Sequence, residues 1–311
     1  MNKKNKMLIA LCTSLSLLLG GCLNMGNILD EEKAGEARKE AYEKENYVRI
    51  QDYTGEGYTL RNTRKETGQI AEANREELEE AVEAFFLEDY KTKVIVHNIV
   101  SAVEGVSVFV ESVGEPHFYT FAIVPIDVEN EKVETDRVWS QEGQVENAIK
   151  TSLYAMVFDQ EFSNLDTYLE NAVQKYPIVG TPIETVQNVG GSGYATSYYY
   201  TSKLGDKFDE IYTAYLENPE ISKEKLKGYL DKKDFEPDRI IITIYLYMKE
   251  ADVEPDKEVF NSIVTDLEKI VGIPKGTYSV ILNNNFIDKR RAIGTKESSL
   301  KRTTPNKIIK E

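Results

Sequence analysis

Between Val94 and Pro125 three strand-forming runs follow one another with almost no chain between them. Val94–Val103 is apolar on both faces, Glu104-Gly105 has the composition of a tight hairpin turn, and Val106–Val113 continues the pattern. Gly114-Glu115-Pro116 breaks the run, and His117–Pro125 forms the third segment. Parallel strands need a crossover of a dozen or more residues, so connections this short impose an antiparallel meander. A preceding helix is expected to cover one face of it.

The segment before the meander supplies such a helix, Asn74–Tyr90. Asn74 and Glu77 stand at capping-box spacing, and Leu78, Ala81, Val82, Phe85 and Phe86 form one apolar stripe. Glu76, Glu79, Glu80 and Glu83 fall largely opposite and read as a solvated face rather than a cation site. Ser140–Phe158 has helical spacing, and Ser163 with Asp166 opens another helix that Pro177 stops. A short helix is expected from Thr181 to Gly190. Asp206–Leu216 and Ser222–Leu230 read as helices, and Ile240–Met248 as an alternating strand. Asp256–Val271 reads as a helix with Val259, Ile263, Leu267, Ile270 and Val271 at core spacing, and Thr277–Asn283 as a last short strand. The expected fold class is α+β: an antiparallel β-meander packed with helices, plus a second helix-rich half with two further strands.

Both ends change in composition. Lys3, Lys4 and Lys6 precede an apolar run, Met7–Leu19, which suits a secretory signal and is too short to cross a bilayer core of ~30 Å. Leu19-Gly20-Gly21-Cys22 resembles the lipobox of bacterial lipoproteins. That resemblance implies cleavage between Gly21 and Cys22 and a diacylglyceryl group on the Cys22 sulfur. Two acyl chains anchor stably where one does so only marginally. Cys12 lies in the segment to be removed, so a mature chain would hold no disulfide, thiolate metal cluster or cysteine nucleophile.

The expected organisation is a signal peptide over 1–21, a charged tether over 22–47, and a globular body over 48–287, with 48–176 and 177–287 as candidate halves. A basic tail over 288–311 follows, read as a solvated, disordered end. The tail carries eight basic and three acidic residues. Loss of 1–21 would leave 35 basic against 53 acidic residues, a net charge of −18. That acidity argues against nucleic acid as a partner and against the body lying on an anionic membrane.

Five stretches together carry a family resemblance: QDYTGEGYTLRN (Gln51–Asn62), VFVESVGEPHFYTFAIVPI (Val108–Ile126), VWSQEGQVENAIKT (Val138–Thr151), YLYMK (Tyr245–Lys249) and LNNNFIDK (Leu282–Lys289). They resemble a family inferred to be lipoproteins of Gram-positive bacteria and catalogued only as a domain of unknown function. The resemblance spans nearly all of the chain after the tether. It implies a surface location and brings no catalytic residues with it.

Chemical motifs are scarce. There is no H-E-x-x-H and no G-x-x-x-x-G-K-[ST]. The stretch Gly190–Tyr194 is not a nucleophile elbow, because Tyr194 replaces the last glycine. His97 and His117, two strands apart at ~10 Å, would need a carboxylate between them to share a metal. Glu111 and Glu115 are near in sequence, and register decides whether either points there. With 53 acidic residues, a carboxylate pair suited to glycoside hydrolysis carries no information. No catalytic residue, metal or cofactor is expected. The one candidate binding element is the tyrosine-rich loop, with Tyr194, Tyr198, Tyr199 and Tyr200 available for stacking.

The expectation is therefore a lipid-anchored protein on the extracytoplasmic face of the cell membrane. It would bind or scaffold without catalysis, with an envelope polymer or protein as candidate partner. The alternative is a cell-wall glycan or peptide hydrolase working through acidic residues.

Overall fold

The computed structural model describes residues 23–191, 193–205, 208–231, 236, 239–294 and 299–311. Gly21 and Cys22, the expected processing and lipidation positions, lie outside the described residues, as does Ser192. Among the described residues, 23–46 and 47–311 are separate units.

In the first unit, the segment expected as a charged, in part helical tether is a single helix, α1 (Leu23–Asn46). Its sequence has no apolar stripe, and a helix polar all round is one suited to solvent. At 1.5 Å per residue it is about 36 Å long.

The second unit begins with β1 (Tyr47–Arg49), α2 (Lys65–Ala73) and α3 (Arg75–Tyr90). The meander follows as β2 (Val94–Ser101), β3 (Gly105–Ser112), β4 (Tyr119–Asp127) and β5 (Lys132–Val133). It pairs antiparallel in the order β2-β3-β4-β5, with Val108 opposite both Ile99 and Ala122. One face buries Val106, Val108, Val110, Ala122 and Val124 in a cluster with Leu78, Val82 and Phe86 of α3. The expected stripe therefore does face the sheet, and Glu76, Glu80 and Glu83 are exposed. Asn74 does not act as the expected cap. Its Nδ2 donates to the Ile70 carbonyl at 2.8 Å and so closes α2, a helix the sequence reading missed. Gly68 lets α2 approach the meander, because a Cβ there would collide with Ser101 Oγ.

Then come α4 (Gln144–Val157), α5 (Asp159–Lys175), β6 (Ile178–Val179), α6 (Ile183–Val189), β7 (Tyr199–Lys203), α7 (Asp209–Glu217), α8 (Lys223–Asp231), β8 (Ile240–Met248), α9 (Lys257–Lys269) and β9 (Gly276–Asn283). The last strands are β10 (Phe286–Asp288), β11 (Ile293–Gly294), β12 (Leu300–Arg302) and β13 (Ile308–Lys310). The two strands expected in this half, β8 and β9, run parallel in register Ile241↔Thr277 to Tyr247↔Asn283, joined across α9. Four short strands complete their sheet: β6 and β7 on β8, β12 and β13 on β9. Asp256 caps α9, accepting from the amides of Glu258 at 2.7 Å and Val259 at 3.1 Å. Val271, expected in the core, is 87% exposed, because α9 ends at Lys269 and the chain leaves the helical face. One buried cluster runs from Leu78 through Val108 and Leu153 to Ile242 and Leu282, so the candidate halves share a core.

The tail is not the solvated end its charge suggested. β12 (Leu300↔Leu282) and β13 (Ile308↔Tyr278) lie in tandem along one edge of β9. β11 pairs with β10, which pairs with β1. Lys310 Nζ donates to the carbonyls of Glu268 at 3.0 Å and Ile270 at 2.8 Å, where the end of α9 presents unpaired acceptors to a cation. Arg302 meets Glu268 at 3.1 Å. The basic residues thus decorate an edge that backbone pairing and buried Ile308 hold in place, and the body runs on to the C-terminus.

Candidate functional site

The loop between α6 and β7 is firmly held. Gly193, at φ +96°, exchanges two 3.0 Å backbone hydrogen bonds with Tyr119 of β4, and a Cβ there would meet Thr151 and Ala148 of α4. Gln144 donates to the Gly191 carbonyl. Thr181 N donates to Ser197 O at 2.7 Å, and Tyr245 N to Tyr198 O at 2.8 Å.

Within this frame the four candidate tyrosines divide. Tyr194 packs into the core against Phe162 at 5.1 Å between ring centroids. Burial pushes its phenol up to about 12. Tyr199 is 2% exposed, and its hydroxyl donates to Asp166 at 2.8 Å. Burial raises the Asp166 carboxyl above its ordinary value. Tyr198, just before β7, is half-buried and packs against the core cluster, and Tyr200 is 38% exposed. Strand alternation in β7 separates buried Tyr199 from exposed Tyr200.

Tyr198, Tyr199 and Tyr200 line a cleft of about 300 Å³, together with Tyr119, Tyr245 and Tyr247. Thr185, Val186 and Val189 of α6 form one wall, and Ile287, Ala292 and Ile293 contribute from the C-terminal segment. Thr181, Thr196 and Ser197 complete the polar part, with Ala195 beside them. Of the sequence candidates, only Tyr194 is absent from the lining. No Asp, Glu, Lys, Arg or His side chain lines the cleft among the described residues.

Tyr119 links the cleft to a polar cluster on the meander. Its hydroxyl donates to Glu111 Oε1 at 3.3 Å. His117 Nε2 lies 2.9 Å from the same oxygen, while His97 Nε2 at 2.7 Å and Gln187 Nε2 at 3.1 Å meet Oε2. A β-bulge between Val96 and Asn98 places His97 here. Register thus selects Glu111 as the carboxylate between the histidines, and Glu115 stays exposed. Burial works against the Glu111 charge, but the bonds from His117, His97 and Gln187 outweigh it and hold the carboxyl below its ordinary value. Burial and the Glu111 charge push the Tyr119 phenol up. Among the described residues, no group of three or more His, Cys, Asp or Glu is arranged to hold a metal ion. Gln187 belongs to α6, so one short helix borders both the cluster and the cleft.

The family model described as a protein of unknown function, DUF1672, matches residues 40–310. The chain belongs to the DUF1672 family. The match takes in the cleft, the Glu111 cluster and the C-terminal strands of this DUF1672 chain. A crystal structure of a DUF1672 family protein from Staphylococcus aureus subsp. aureus Mu50 is similar, with a TM-score of 0.68 at 17% identity. The likeness covers 86% of this chain and 98% of that one, and at this identity it speaks for the fold alone. No curated protein matches the chain. Among the described residues, no helix is long and apolar enough to cross a membrane.

Proposed function

We propose that this protein is a lipoprotein anchored through Cys22 on the extracytoplasmic face of the cell membrane, where its body binds or scaffolds without catalysis. The anchor rests on the Lys-rich start, the short apolar run and Leu19-Gly20-Gly21-Cys22. The observation that carries the binding role is the cleft, a concave tyrosine-walled site at the lower end of the volume range of ligand pockets. A hydrolase would need two acids converging on a pocket, and carboxylates do not line this one among the described residues. Asp166, the raised carboxyl nearby, is occupied by the Tyr199 hydroxyl.

In this reading α1 is the polar segment that follows the lipidated cysteine in sequence and precedes the body. The partner is an envelope polymer or protein, and the net charge keeps nucleic acid away. Cell fractionation of a Cys22→Ala variant tests the anchor. The variant should leave the membrane fraction or persist unprocessed. An unlipidated wild-type chain in the soluble fraction would end the proposal.

A further inference from the structure

We infer that the cleft takes an uncharged carbohydrate ring. The inference rests on the binding role proposed above and names its ligand class. Three features of the walls select that class.

The first is the absence of charge. A charged ligand would lose hydration on entry and meet no countercharge, since no ionised side chain lines the cleft among the described residues. The second is the aromatic surface. Tyr198 and Tyr200 both line the cleft, and the mouth is open enough to leave Tyr200 38% exposed. A ring edge or face of that kind suits the C–H face of a pyranose. The third is a set of uncommitted hydroxyls. Tyr199 Oη is bound to Asp166, Thr185 Oγ1 donates to the Tyr53 carbonyl, and Thr196 Oγ1 accepts from Tyr198 N. By contrast, the hydroxyls of Thr181, Ser197, Tyr198 and Tyr200 make no hydrogen bond to a described residue. A purely apolar guest would strip water from these groups and return nothing. A neutral sugar offers an apolar face to the rings and hydroxyls to the hydroxyls, so it satisfies both halves of the wall.

The test uses the full lipidated chain in phospholipid nanodiscs, which avoids sugar-headed detergents. Isothermal titration calorimetry and saturation-transfer NMR would follow N,N′-diacetylchitobiose, cellobiose and maltose. Glucosamine and glucuronic acid serve as charged counterparts, and p-cresol and cyclohexanol as apolar ones. At least one neutral disaccharide should saturate a single site below ~10 mM, in the weak-affinity range. The charged counterparts should bind about tenfold more weakly or not at all.

Tyr200→Ala should weaken the sugar about tenfold, and Tyr200→Phe less, because the ring remains. Ser197→Ala removes a hydroxyl without changing the wall's shape and should also weaken binding, which keeps the test sound should the tyrosine variant misfold. Saturation by p-cresol or cyclohexanol with no response to any of the three sugars would overturn the ligand class and leave the binding role standing. Silence from every probe would overturn the inference and leave the binding role to a larger polymer or a protein. Sugar binding that ignores Tyr200→Ala and Ser197→Ala would place the site elsewhere and overturn the inference.

Discussion

Glu111→Gln is the perturbation with the best-defined structural cost. Four donors converge on this carboxylate: His97 at 2.7 Å, His117 at 2.9 Å, Gln187 at 3.1 Å and Tyr119 at 3.3 Å. A glutamine keeps the shape but offers one acceptor oxygen and turns an NH₂ towards two of the donors. A hydrogen bond to a charged group contributes about 1.5–3 kcal/mol. The side chain is 18% exposed, so water replaces part of the loss and the net cost should be about 2–3 kcal/mol. Domains of this size shift by ~2–4 °C per kcal/mol, which gives a Tm lowered by about 4–12 °C at pH 7. Because the folded-state carboxyl lies below its unfolded value, its contribution is fully present above the unfolded pKa of about 4.3. It is lost as pH falls through the folded value. Differential scanning calorimetry of wild type and Glu111→Gln should therefore show a gap that is full at pH 6–7 and closes towards pH 3. Glu115→Gln, at an exposed neighbour, should shift nothing beyond ~0.5 kcal/mol. No gap at neutral pH, or one that persists unchanged at pH 3, would refute the claim that the Glu111 charge organises the cluster.

Ile308→Ala should destabilise the body by about 2–4 kcal/mol in urea unfolding, because the side chain is buried against β9 and not part of a solvated end. A change under 0.5 kcal/mol would restore the tail to solvent. Val271→Asp should be silent to within about 0.5 kcal/mol while Ile263→Ala, fully buried on α9, should cost about 2–5 kcal/mol in the same assay. Gly193→Ala should raise amide exchange across 190–198 and cost more than about 1 kcal/mol, since it strains a positive φ and presses on Thr151 and Ala148. Unchanged exchange there would show that the loop is not held by this contact.

Much of this fold can be read from periodicity. The stripe Leu78–Val82–Phe86 and the alternation Ile240–Ile242–Ile244–Leu246 are local patterns that each bury one face, and the structure buries them. The meander follows from short connections. What escaped has no local pattern. β6 and β10–β13 are two or three residues long, too short to show a period, and each exists because a neighbouring edge pairs with it. Leu300 and Ile308 are isolated apolar residues among charges, so composition suggested a solvated tail until β9 supplied a partner. The site was legible in part. The tyrosine loop stood out, and three of its four candidate rings line the cleft. The rest of the cleft comes from distant Tyr119, Tyr245 and Ile293. A carboxylate was needed between His97 and His117, yet choosing Glu111 depended on register and a bulge that no local sequence signal announces.

The most direct test of the proposed anchored binding protein is the intact mass of the mature chain from membranes of a Gram-positive host. The account predicts a polypeptide that begins at Cys22 and carries a diacylglyceryl adduct on its sulfur. A mature chain that begins anywhere else, or begins at Cys22 with a free thiol, would contradict it.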